Sequence, residues 1–204
     1  VGNQNSKGLK MVFEKLPFSY NIQKLQGYLL DTVFQIGDPI CPIEPGFGGW
    51  SITSRNGSWK DGWRKANEKV NDPLVYTKPT ELYVGYMKEI IDDIKDKGFK
   101  PSKVRISTLP PMGKSTIHRD YSPSNFRARL HIPVLTNKHC CHILYNNAEV
   151  EQSRMHMVAD GSVYMFWANL KHQYLNKSNE YRYHVVMDVI DTKGITENFK
   201  CITQ

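Results

Sequence analysis

The alternation of apolar and polar positions changes rhythm once along this chain, from a helical period before about residue 102 to a period of two afterwards. Asn21 can cap a helix that sets Ile22, Leu25, Leu29, Val33 and Ile36 on one face, and Gly37 stops it. The passage GDPICPIEPGFGGW that follows is too rich in Pro and Gly for regular helix. WSITSRNGSW reads as a strand and turn, with Asn56-Gly57 as the turn signal. From about Glu81 to Lys97 the spacing of Leu82, Tyr86, Ile90, Ile91 and Ile94 predicts a second amphipathic helix, ended by Gly98. Both apolar stripes read as core.

From Lys103 onward come short runs of β-branched and aromatic residues: VRISTL, FRARLHIPVL, CHILYN, RMHMV, SVYMFW, HQYLN and YRYHVVMDVI. Pro, Gly, Asn and Asp clusters separate them at spacings typical of an all-β barrel or sandwich. The fold class predicted is mainly β with N-terminal helices, a jelly roll. Residues 1–102 form a helical and loop support with a substrate lid, packed on a β core over residues 103–204, within one compact domain.

Bulk properties narrow the setting. A chain of 204 residues that is 40% hydrophobic and 23% charged belongs with globular proteins of full core size. No apolar run approaches a membrane span, and the start shows no charged-then-apolar leader pattern. Four cysteines, Cys41, Cys140, Cys141 and Cys201, include an adjacent pair and make no disulfide framework, which points to a reducing, cytoplasmic setting. The net charge of +7 comes from scattered lysines rather than a basic block, so a nucleic-acid partner is disfavoured.

The chemistry concentrates in STIHRDYSPSNFRARLHIPVLTN, residues 115–137. In an extended segment residues i and i+2 point the same way, so His118 and Asp120 can converge on one metal ion. His172, at the start of another strand, supplies a third ligand; two histidines and a carboxylate leave open positions on an octahedral ion, as in non-haem Fe(II) oxygenases. Alone, an H-x-D pair reads equally as a surface histidine and a turn-capping aspartate. The surrounding charge changes the balance. Alternation puts Arg127, Arg129 and His131 on one strand face, and Arg182 and His184 on one face of another. Two strand arginines beside a metal suit a small dicarboxylate, held at one end by metal and at the other by guanidinium.

In its C-terminal half the chain resembles the aspartyl/asparaginyl β-hydroxylase family of Fe(II)- and 2-oxoglutarate-dependent dioxygenases, whose bacterial relatives include proline hydroxylases. Ser107 precedes His118 by eleven positions, Arg129-Leu-His131 follows, Gly161-Ser-Val-Tyr-Met-Phe leads to His172, and Arg182 lies ten residues further on. The match runs from about Ser107 to Val189. The resemblance implies a double-stranded β-helix of cupin type. It implies Fe(II) on His118 and His172, with Asp120 completing the triad as in many bacterial members. It also implies 2-oxoglutarate with its distal carboxylate on Arg182 and Ser107 and its metal-proximal carboxylate on Arg129 and His131. Oxygen is then the second co-substrate, ascorbate a stimulant, and succinate and CO2 the co-products of hydroxylating an amino acid or a peptide or protein side chain. Where the family often has acidic residues after the strand phenylalanine, this chain has Trp167-Ala168-Asn169.

Other candidates carry less. His139-Cys140-Cys141-His142 alternates faces and lacks zinc-site spacing, so it reads as buried or edge residues. His156 reads as structural, and His184 as pocket or core. Trp50, Arg55, Trp59 and Trp63 make either a packed aromatic cluster or a lid over substrate, while Tyr121 and Phe126, just after the H-x-D, are better placed for substrate contact. The competing function classes are a cupin-like isomerase or dicarboxylate sensor without oxygenase turnover, and a nucleic-acid-binding module resting on net charge alone.

Overall fold

The computed structural model describes residues 13–44, 47–63, 73–121 and 128–191. Its N-terminal part supplies β1 (Glu14–Ser19), α1 (Ile22–Tyr28), β2 (Ile40–Glu44), β3 (Phe47–Ser51), β4 (Thr53–Ser54), β5 (Lys78–Pro79) and α2 (Gly85–Asp96). The remainder is β6 (Phe99–Leu109), β7 (Ala128–Leu135), β8 (Cys140–Tyr145), β9 (Glu151–Met155), β10 (Ser162–Trp167), β11 (Lys171–Asn176) and β12 (Arg182–Asp191). Among the described residues, no helix is long and apolar enough to cross a membrane.

Asn21 caps α1 as its side chain predicts, accepting from the Lys24 amide at 2.9 Å. The first apolar stripe then widens into a π-helical turn over Leu29–Val33, which leads to Gly37 at φ 127°. The second helix starts at Gly85, later than Glu81, because the Tyr83 amide donates to Thr80 O and closes a turn there. It stops at Gly98, φ 98°, as expected.

Two sheets make the barrel. The larger is antiparallel, in the order β1-β10-β7-β12-β6-β3-β2; the smaller is β11-β8-β9, and β4-β5 form a separate ribbon. Three strands of the larger sheet thus come from the part expected to be helices and loops. The Pro/Gly-rich passage hides two of them, and its glycines have a packing role. A Cβ on Gly49 would lie 1.8 Å from the Ile106 carbonyl oxygen, so β3 can approach β6 only without a side chain there.

The strands of the larger sheet separate two environments. Val104, Ile106, Leu130, Ile132, Val134, Val163, Met165, Val185 and Met187 face outward onto α1 and α2, packing with Leu25, Leu29, Met87, Ile90 and Ile94. Each such side chain contributes about 1.5–3 kcal/mol through burial. The alternate positions face inward toward the smaller sheet. There Phe166 packs against His142 with ring centroids 4.3 Å apart, and Tyr121, Leu144, Tyr164 and Met157 complete a second cluster.

Candidate active site

His118 and His172 meet across an isolated antiparallel bridge, their backbones exchanging hydrogen bonds of 3.1 and 2.9 Å. The Asp120 amide donates to Ala168 O at 3.1 Å, which pins the following turn beside the same strand end. Donor atoms of His118, Asp120 and His172 lie within 4.8 Å of one another. Each histidine has Nδ1 against a carbonyl of its own segment, Thr116 O at 2.9 Å and Leu170 O at 2.8 Å. A carbonyl only accepts, so both Nδ1 atoms carry the proton and both Nε2 atoms are bare, the tautomer a metal needs. His172 is fully buried, and its Nε2 lies 3.3 Å from Asp120 Oδ2. Burial, and then the neighbouring His172, lowers the pKa of His118.

Asp120 is itself held in place. Burial would raise its pKa, but the Arg129 guanidinium keeps it well below the usual carboxylate range. Arg129 Nη1 pairs with Asp120 Oδ2, and Nε donates to Asp188 Oδ1 at 2.7 Å. Tyr121 donates its hydroxyl to the other Asp188 oxygen at 2.6 Å. Arg129 therefore carries two carboxylates already, and only Nη2 is left without one. Tyr121, expected near substrate, has its hydroxyl committed to this network.

Further into the barrel the pattern reverses, and cations and imidazoles have too few partners. Arg182 is buried over the Tyr174 ring, 5.1 Å from its centroid, with Nε and Nη2 making no hydrogen bond. Burial pushes its pKa down to about 10. His131 and His184 face each other with Nδ1 atoms 3.3 Å apart, and both Nε2 atoms are unpaired. His142 has no partner on either ring nitrogen and stands 5.4 Å, centroid to centroid, from both His131 and His172. Burial holds all three of these histidines well below their ordinary pKa. Ser107 lies on the same inner face, opposite His184 in the β6–β12 ladder. Buried donors without acceptors are costly, and the chain itself supplies none to these atoms.

The sequence missed His142, Tyr174 and Asp188. Parity was the available signal: Asp188 is in phase with Arg182 and His184, and Tyr174 with His172. His142 becomes visible only when the ladder puts it opposite Tyr174. The other candidates lie elsewhere. Trp50 is in the outer core, its indole donating to Gly37 O at 2.7 Å, and Trp59 is in the same cluster. Arg55 pairs with Asp61 at 3.2 Å and stacks on Tyr76. His156 bonds the Cys140 carbonyl, and Cys140 and Cys141 are free thiols. Phe126, Arg127 and Cys201 lie outside the described residues.

Solved structures share this architecture. A prolyl-4-hydroxylase from Pseudomonas putida matches with TM-score 0.52 and 12% identity, over 89% of this chain and 93% of that one. An oxidoreductase of the 2OG-Fe(II) oxygenase family from Burkholderia pseudomallei gives 0.54 and 14%, over 87% and 83%. The non-heme alpha ketoglutarate dependent carbocyclase SnoK from nogalamycin biosynthesis gives 0.55 and 10%, over 89% and 81%. The shared fold is the double-stranded β-helix. The sequence profile of the aspartyl/asparaginyl beta-hydroxylase family matches residues 52–192, and the chain belongs to that family. It is accordingly an oxidoreductase of the hydroxylase type. No curated protein matches the sequence.

Proposed function

We propose that this protein hydroxylates a C–H bond of an amino acid or of a peptide or protein side chain, using Fe(II), 2-oxoglutarate and O2 and releasing succinate and CO2. The observation that carries the reading is one barrel interior holding both a His-Asp-His triad with bare Nε2 atoms and a buried arginine without a counter-ion. That donor set, two neutral imidazoles and one anionic carboxylate, fits Fe(II). When bound, iron and 2-oxoglutarate supply the oxidising power that side chains lack.

The chain's own residues bind, orient and exclude water. His118, Asp120 and His172 hold the metal. Arg182, with Ser107 beside it, takes the distal carboxylate of 2-oxoglutarate through its unpaired Nε and Nη2. His131 and Arg129 Nη2 take the metal-proximal carboxylate, while Arg129 keeps Asp120 anionic and in place. Phe166, Tyr174 and Leu144 exclude water around them. Residues 1–102 act as support for the core over 103–204, with β1, β2 and β3 extending its larger sheet, and the two free thiols favour a reducing, cytoplasmic setting.

The test is succinate release under air with Fe(II), ascorbate and 2-oxoglutarate, comparing wild type with His172→Ala. Iron-dependent succinate that falls at least a hundredfold in the variant is expected, since a buried ligand is lost. A wild type that neither releases succinate nor binds 2-oxoglutarate overturns the reading in favour of a metal-binding barrel without oxygenase turnover.

A further inference from the structure

His131 and His184 meet ring to ring in the barrel interior, and the chemistry above uses only His131. They lie on paired strands, β7 and β12, where Pro133 is opposite His184 and Val186 is opposite His131. Both side chains are buried, at 0% and 4% exposure, with ring centroids 5.6 Å apart and planes at 81°. Their Nδ1 atoms stand 3.3 Å apart, and neither Nε2 has a hydrogen-bond partner. Burial holds both rings in the neutral form.

A neutral imidazole has one N–H and one bare nitrogen. Two bare nitrogens in contact repel, and so do two N–H groups, so the His131–His184 contact is made with one proton between the Nδ1 atoms. Two arrangements are left. With the proton on His131 Nδ1, the His131 Nε2 is a lone pair and meets a carboxylate as one acceptor meets another. With the proton on His184 Nδ1, the His131 Nε2 carries hydrogen and donates to that carboxylate. The surroundings select the second. Arg182 lies two residues before His184 on the same face of β12, and of the charges acting on the His184 ring it is the largest. With Nδ1 committed to His131, the nitrogen left over is Nε2, and a guanidinium favours a lone pair there over an N–H. The Ser107 side chain, opposite His184 in the ladder, adds a hydroxyl donor on the same inner face.

We propose that His184 is a positioning residue: by donating Nδ1–H to His131 it fixes the tautomer in which His131 Nε2–H faces the metal-proximal carboxylate of the co-substrate. The donor is then in place before the ligand arrives, and binding loses nothing to selecting a tautomer. Arg182 acts at both ends of the co-substrate, directly on the distal carboxylate and through His184 and His131 on the proximal one. This rests on the Fe(II)/2-oxoglutarate reading, and the test separates the two.

The experiment is long-range proton–nitrogen NMR on protein labelled with 15N-histidine and loaded with diamagnetic Zn(II) in place of Fe(II), before and after saturation with 2-oxoglutarate. The spectrum reports which ring nitrogen carries hydrogen. Before any ligand is added, His131 should be in the Nε2–H form and His184 in the Nδ1–H form, and 2-oxoglutarate should leave both unchanged. Calorimetry on Zn(II)-loaded protein then compares wild type with His184→Leu and His184→Asn. Leucine gives His131 no donor, so both His131 tautomers should appear and the affinity for 2-oxoglutarate should fall roughly tenfold. Asparagine returns an N–H to about the place of Nδ1 and should recover most of that loss. The loss in His184→Leu should be as large for 2-oxobutyrate, which has the chelating end and no distal carboxylate. A wild-type His131 in the Nδ1–H form, or protonated on both nitrogens, overturns the proposal without any variant. So does a loss that asparagine does not recover, or one that vanishes with 2-oxobutyrate and so acts through Arg182 alone. Binding of 2-oxoglutarate to a protein in the other tautomer sinks this proposal and spares the functional reading, whereas failure of 2-oxoglutarate to bind at all brings down both.

Discussion

Leu130 and Arg129 are adjacent in β7 and belong to two different molecules in chemical terms. Leu130 is one of a continuous outer layer of buried apolar side chains packed with those of the helices. Arg129 opens onto an inner layer where imidazole nitrogens and guanidinium groups are buried without partners. The same alternation, strand by strand, builds both. Stability is concentrated outside, where nothing needs to bind. Inside, the chain accepts a desolvation cost that its own side chains do not offset.

The largest effects should come from cutting each layer at one point. Leu130→Ala opens a hole in the outer core and should cost about 2–5 kcal/mol. Asp188→Ala should cost about 3–5 kcal/mol, because it leaves the Arg129 Nε and the Tyr121 hydroxyl without their acceptor. The two variants should differ in metal affinity. Arg129 positions Asp120, so Asp188→Ala should weaken Mn(II) binding roughly tenfold or more, and Leu130→Ala should leave it unchanged. Urea melts and metal titrations of both variants test this. Equal losses of metal affinity would mean the layers are not separable.

A smaller effect of opposite sign should follow at Arg182. Its guanidinium is buried and lacks an acceptor, so Arg182→Met should stabilise the ligand-free protein by about 1–3 kcal/mol. The same change should abolish the rise in melting temperature that 2-oxoglutarate gives wild type. An outer-layer residue replaced by one of similar volume would do neither. If Arg182→Met destabilises the ligand-free protein, the inner layer is not built around a missing anion.

Much of the outer layer was legible because it is local. The period of FRARLHIPVL and YRYHVVMDVI is enough to assign faces, and the structure keeps those faces, with Leu130, Ile132 and Val185 outside and His131, Arg182 and His184 inside. The triad was legible as well, since its spacing requires only one extended segment and one strand start. What stayed hidden depends on pairing between distant segments. β1 is a short strand whose role is set by contact with β10, and Gly161 marks the crossing: a Cβ there would sit 1.9 Å from Tyr20 O. The role of Asp188 depends on a register that puts it opposite Arg129. Trp50 shows the converse. Its neighbours in sequence fitted either a packed aromatic cluster or a lid, and the pairing of β3 with β6, which turns its ring to the helices, decides for the cluster.

The smallest expected effect concerns acid. His184 is buried beside His131, with Arg182 on its own strand and His142 and His156 facing it; burial, then these charges, hold its pKa well below the ordinary 6.5. The contact itself gives the reason. Two Nδ1 atoms 3.3 Å apart can share one proton, and a second would set two N–H groups against each other. In the unfolded chain the imidazole takes up a proton below pH 6.5, so there the unfolded state binds more protons than the folded one. Stability is therefore full above pH 6.5 and falls as the pH drops from there toward the folded pKa. His184→Gln removes that term and should flatten the loss by about 1 kcal/mol at one pH unit below the unfolded value. Urea melts of the ligand-free protein at pH 7.5 and 5.5 measure it. An outer-layer change such as Leu130→Ala should shift both pH values equally. A His184→Gln protein that loses as much stability in acid as wild type would show that the inner imidazoles are charged already, and that the inner layer carries still more unmatched charge.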